Sequence, residues 1–62
     1  MAEIEFAPQD RVFARIGGRM LRGTIEQRSP VGGWIVRLDM PYLGRSRLLV
    51  GEERLVHTSE TE

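Results

Sequence analysis

The chain has no cysteine, no lysine and a single histidine, and no apolar run exceeds three residues. Each absence excludes a class of protein. Without Cys there is no disulfide staple, no thiolate metal site and no cysteine nucleophile. His57 alone cannot assemble a histidine-based metal centre, so no metal and no cofactor is expected. Runs such as 48–50 fall far short of the roughly 20 apolar residues that a membrane-spanning helix needs. The opening MAEIEFAPQD carries acids where a secretory signal has a basic start and an apolar stretch. A cytoplasmic protein with no membrane partner is therefore expected. The 62 residues allow one small domain with a thin core, because a chain of this size buries only roughly 60% of the surface it exposes when unfolded.

The formal charge is zero, but it is unevenly placed. Residues 1–10 carry a net −3, residues 11–47 a net +6, and residues 48–62 a net −3. All nine basic residues are Arg. Its planar fork pairs bidentately with phosphate or carboxylate and stacks on flat rings. A genome whose base composition favours Arg codons accounts for the missing Lys, but not for the segregation. Acidic ends folding back over a basic middle would mask it.

Glycine and proline punctuate the chain so densely that no helix of ordinary length fits between them. Five short strands do: 11–16, 20–27, 33–39, 46–50 and 55–57, with 52–54 a turn that can be a single 3₁₀ turn. Apolar and polar residues alternate in the first four. Val12, Leu21, Ile25, Trp34, Val36, Leu38 and Leu48 are expected inside. Gly23 in mid-strand fits a bend or bulge. Gly17-Gly18 and Gly32-Gly33 read as hairpin turns, because neither has the spacing or the following helix of a nucleotide-binding loop. Several short antiparallel strands with one apolar face must curl to bury it, which at this size gives an all-β small barrel. The organisation expected is an N-terminal extension 1–7, a barrel 8–57 and a disordered polar tail 58–62.

The segments Asp10-Arg-Val-Phe-Ala-Arg, Arg22-Gly-Thr-Ile-Glu, Trp34-Ile-Val-Arg-Leu-Asp and Glu53-Arg-Leu-Val, in that order, resemble an SH3-like barrel. More narrowly they are similar to its KOW and Tudor-like branch. Gln9 stands where that branch usually has Gly before the Asp, and 19–22 replaces a small-polar approach to the next Gly. The resemblance implies a binding module on nucleic acid or protein, rarely a catalyst.

With Val12, Ala14 and Ile16 inward, Arg11, Phe13 and Arg15 face out. The same alternation exposes Arg22, Ile35, Arg37 and Arg47. Arg45 and Tyr42 fall in an expected loop over 40–45, the segment best placed to touch a partner. Guanidinium groups hold phosphates, and Phe13 offers a stacking platform for an unpaired base. The expected function is a non-enzymatic module that uses this arginine face on nucleic acid or a ribonucleoprotein. The alternative is a protein-interaction subunit that docks on a larger assembly or on its own copies through Phe13, Ile35 and Tyr42. No Ser/His/Asp set and no facing carboxylate pair is visible, so no catalytic residue is assigned.

Overall fold

The structure, a computed structural model, describes residues 6–58. The acidic segments 1–5 and 59–62, with most of the expected extension and tail, lie outside the described residues. The strands are β1 (Arg11–Ile16), β2 (Arg19–Arg28), β3 (Trp34–Tyr42), β4 (Arg45–Val50) and β5 (Leu55–His57), with a 3₁₀ turn over Glu52–Arg54 before the last. All pair antiparallel in one sheet, in the order β4-β3-β2-β1-β5. The fold is all-β, and among the described residues no helix is long and apolar enough to cross a membrane.

One sheet has to bury its own apolar face. Val12 and Val36 are fully buried, although among the described residues no second layer covers them. The core also takes in Val50 of β4 and Leu55 of β5, the two edge strands. Edges that share a core require a sheet folded over on itself. Fully burying a side chain of this size stabilises by about 1.5–3 kcal/mol, which makes the small cluster of Val, Ile and Leu the main source of stability.

Trp34 sits within this cluster. Phe6 meets its ring edge-on at 6.4 Å between centroids, and its Nε1 donates to Glu52 Oε1 at 3.3 Å. The Arg28 guanidinium lies 5.7 Å from the ring centroid. Val12, Ile25, Trp34, Val36 and Leu38 are buried as expected, whereas Leu21 and Leu48 are only partly buried against the cluster. Phe6, placed by the sequence in an extension ahead of the barrel, is instead a core residue. A turn brings it there: Pro8 and Gln9 occupy its centre, Asp10 N–H donates to the Ala7 carbonyl at 3.1 Å, and Gln9 N–H donates to the Ile25 carbonyl at 2.7 Å.

Gly23 pairs regularly with Val12 and Leu38, so it is not a bulge. It is needed because β3 passes too close for a side chain: a Cβ there would stand 2.7 Å from the Arg37 carbonyl oxygen and 2.8 Å from Val36 Cγ1. The bulge lies further on, where Ile25 pairs with Val36 but Gln27 with Ile35. The extra residue shifts the alternation, so Arg28 pairs opposite Trp34 and comes over its ring.

Two hairpins close with two-residue turns, Gly17-Gly18 and Leu43-Gly44, each with positive φ at both positions. The loop expected over 40–45 is therefore mostly strand. Pro41, which cannot donate to a ladder, falls where β3 and β4 lose register between Arg37 and Tyr42.

Gly23→Ala is expected to lower unfolding stability by about 1–3 kcal/mol in denaturant titration, as overpacking does; an unchanged midpoint would mean that β3 does not approach there. Gln9 has a φ of +79°, a backbone conformation that costs L side chains about 1–2 kcal/mol. Gln9→Gly is expected to raise stability by up to about 1 kcal/mol, after the greater freedom of Gly in the unfolded chain is offset. A lower midpoint would contradict the turn.

Candidate nucleic-acid interface

The register turns the outward residues into rows. One row crosses four strands, with Arg47 opposite Arg37, Arg37 opposite Thr24, and Thr24 opposite Arg11. At a strand spacing of about 4.8 Å it is about 14 Å long. A second row sets Arg22 opposite Phe13 and Phe13 opposite Val56. Arg15 stands opposite Met20. Arg11, Arg15, Arg22, Arg37, Arg45 and Arg47 are all exposed.

Two carboxylates lie among these arginines. Asp39 accepts from Arg11 Nη2 at 2.6 Å and Arg11 Nη1 at 2.9 Å, a bidentate pair, while Arg11 Nη1 also donates to Thr24 Oγ1 at 2.7 Å. The Arg11 bonds hold the Asp39 carboxyl below the usual aspartate range. Desolvation opposes them, and the charges of Arg11, Arg22 and Arg37 add to the lowering. The same bonds raise the Arg11 guanidinium above its ordinary value. Glu26, at the bulge, forms an ion pair with Arg47, Oε1 lying 2.7 Å from Nε. Among the described residues Arg15, Arg22, Arg37 and Arg45 make no ion pair.

Like charges directly opposite on neighbouring strands destabilise a sheet. Arg37 and Arg47 are such a pair, and Glu26 neutralises only Arg47. An anion laid across the row would relieve this repulsion.

The aromatic positions differ from expectation. Phe13 is half-buried rather than free, and the Arg22 guanidinium covers its ring at 5.2 Å from the centroid. A base would stack on Arg22 or displace it. Tyr42 lies in β3, half-buried against the core, with its hydroxyl beside Gly17. Ile35 is half-buried beside Leu49. The apolar side chains most open to solvent are ones that the alternation did not single out: Met40 at 79%, Val31 at 81% and Leu43 at 84%. Met40 and Leu43 fall in the 40–45 segment expected to touch a partner, but the positive φ of Leu43, which Leu seldom adopts, is not legible in the sequence. Among the described residues no three His, Asp or Glu side chains stand close enough to hold a metal ion.

The sign of the Asp39 shift sets its pH dependence. A carboxyl with a depressed folded pKa contributes stability that is complete above its unfolded pKa and is lost as pH falls through the folded value. The Arg11 pair is thus intact at neutral pH and fails only in acid. In a carbon-detected titration the Asp39 carboxyl is expected to protonate below the usual aspartate range, and Arg11→Gln to move it back up. The same midpoint in both proteins would show the pair to be absent in solution.

Compared with protein-family models, with curated proteins and with solved structures, the chain matches none.

Proposed function

We propose that this chain is a small SH3-like barrel, non-enzymatic and cytoplasmic, that holds the phosphate backbone of a nucleic acid on its arginine face. The observation that supports this most is the row Arg47, Arg37, Thr24, Arg11, in which two guanidinium groups stand opposite each other and only Arg47 of the two is paired with a carboxylate. Support for the barrel comes from the strand order, in which β5 returns beside β1 after a lone 3₁₀ turn. Arg22 and Arg37 carry the contact, since both are exposed and neither is tied to a carboxylate. Arg15 and Arg45 extend it. Arg11 and Arg47 are held partly in reserve by Asp39 and Glu26, which compete with phosphate and reduce nonspecific affinity.

A second reading is a protein-interaction subunit. Leu43 favours it: an apolar side chain exposed at a turn with φ +51° is costly to fold and to solvate. In that reading the apolar centre lies at Met40 and Leu43 rather than at Phe13, Ile35 and Tyr42.

Salt dependence separates the two. With about three to four phosphate contacts, log affinity should fall against log salt with a slope of about −2 to −3.6, depending on strand number. Changing Arg22 and Arg37 together to Gln is expected to flatten the slope by about 1.5 while leaving the melting temperature nearly unchanged. Asp39→Asn, which frees Arg11, should tighten binding and steepen the slope. No binding of a short single strand or duplex at low salt would end the nucleic-acid reading and leave the interaction subunit standing.

A further inference from the structure

Beside the arginine face, at one end of the sheet, the β1–β2 turn and the 3₁₀ turn border an open depression of about 520 Å³. Its volume is that of a small-ligand site. Arg15 comes to it from the end of β1, Arg19 from the start of β2, and Arg54 from the last position of the 3₁₀ turn. Among the described residues none of the three pairs with a carboxylate. Glu53 also lines the depression, but its carboxylate folds back over Gly51, where a Cβ would stand 2.5 Å from Oε1 and 2.7 Å from Oε2. Gly18 leaves the rim open, since a Cβ there would meet nothing within 4 Å.

We propose that this depression binds a phosphate monoester of a nucleotide. The charge balance selects the monoester. Three guanidinium groups against Glu53 leave two positive charges, and a monoester carries about −1.5 to −2 at neutral pH. A phosphate inside a strand carries only a single negative charge. The outer face, a row of arginines spaced across the strands, suits such internal phosphates; the depression, lined by arginines from three elements, suits a terminal one. Arg15 faces both and joins them into one surface. The two-glycine turn contributes space rather than a phosphate loop, as its φ values of +56° and +77° are those of an ordinary tight hairpin. The monoester has two sources, the 5′ end of a strand or a free mononucleotide. The lining argues for the phosphate monoester alone; that it belongs to a nucleotide, at a strand end or free, rests on the nucleic-acid reading above.

The test uses the full chain in two arms. In the first, amide resonances are followed while a nucleoside 5′-monophosphate is added, with the parent nucleoside as control. Gly17, Gly18 and Arg19 are expected to shift with the monophosphate only. In the second, two single strands of one sequence, with a 5′ phosphate or a 5′ hydroxyl, are compared by fluorescence anisotropy. The phosphorylated strand should bind about tenfold more tightly, the effect of one charge-assisted hydrogen bond. Arg19→Gln combined with Arg54→Gln should abolish that difference and leave affinity for the hydroxyl strand and the melting temperature unchanged. Shifts with the mononucleotide but equal affinity for the two strands would keep the site and assign it to free nucleotides. A hydroxyl strand that fails to bind even at low salt would remove the outer-face reading without touching the first arm. No shift in the first arm and no difference in the second would overturn the proposal.

Discussion

A single sheet that must act as its own second layer is the constraint behind most of this structure. Val12 and Val36 lose all contact with water although no helix or further sheet among the described residues covers them. That is possible only if the strands curl until β4 and β5, the two ends of the strand order, contribute Val50 and Leu55 to one cluster. Curling of this degree forces neighbouring backbones together. At Gly23 β3 comes too close to leave room for a side chain. The bulge after Ile25 gives β2 the extra residue it needs and carries Arg28 onto Trp34. With Ala14 and several Val among the buried residues, Trp34 and Phe6 supply the large apolar groups that fill the interior.

Burying one face of every strand commits the other face to solvent, so the charge segregation becomes a spatial pattern. The basic middle of the chain is also its strand-forming part, and alternation sends its arginines outward in register. Two carboxylates tie Arg11 and Arg47, but Arg37 remains unpaired beside Arg47. Opposite Arg47 an acidic or neutral residue would be locally more stable than Arg37, although the Arg37 charge also acts on Asp39. Leu43 is a second residue that the fold does not itself favour, since its positive φ and its exposure both oppose folding.

The alternation in the sequence is sufficient to read β1 and the outward arginines, because period two is a direct consequence of the pleat, and β5 is read from the turn ahead of it. Elements that depend on register were not legible. The bulge is one: a strict alternation carries Gln27, not Arg28, to the interior face, and only the pairing of Gln27 with Ile35 shows the shift. Pro8 reads as a break, so Phe6 was set outside the core; in the structure Pro8 opens a turn that returns the chain to it. Pro41 similarly suggests a loop over 40–45, whereas a proline is tolerated in the stretch of β3 that has lost register with β4. At the candidate interface the identities of the exposed arginines followed from the sequence. Their partners did not, since Asp39 lies 28 residues from Arg11 and meets it only through strand pairing.

The absence of lysine divides the arginines into two groups. Arg11 binds Asp39 with both ends of its fork, Arg22 lies over Phe13, and Arg28 lies over Trp34. An ammonium group has no second donor in a fixed plane and no flat surface, so it could not reproduce the bidentate pair and would cover a ring poorly. Arg47 is ion-paired with Glu26, a contact that an ammonium could also make. For Arg11, Arg22 and Arg28 the fold itself explains arginine. Among the described residues it does not explain Arg15, Arg19, Arg37, Arg45 and Arg54, whose guanidinium groups neither pair with a carboxylate nor cover a ring. Three of these five line the depression beside the β1–β2 turn, and Arg37 lies in the row across the sheet. The arginines that the fold leaves unused are therefore the ones on which the proposed phosphate contacts rest; a base composition that favours Arg codons accounts for their not being lysine, but not for where they stand.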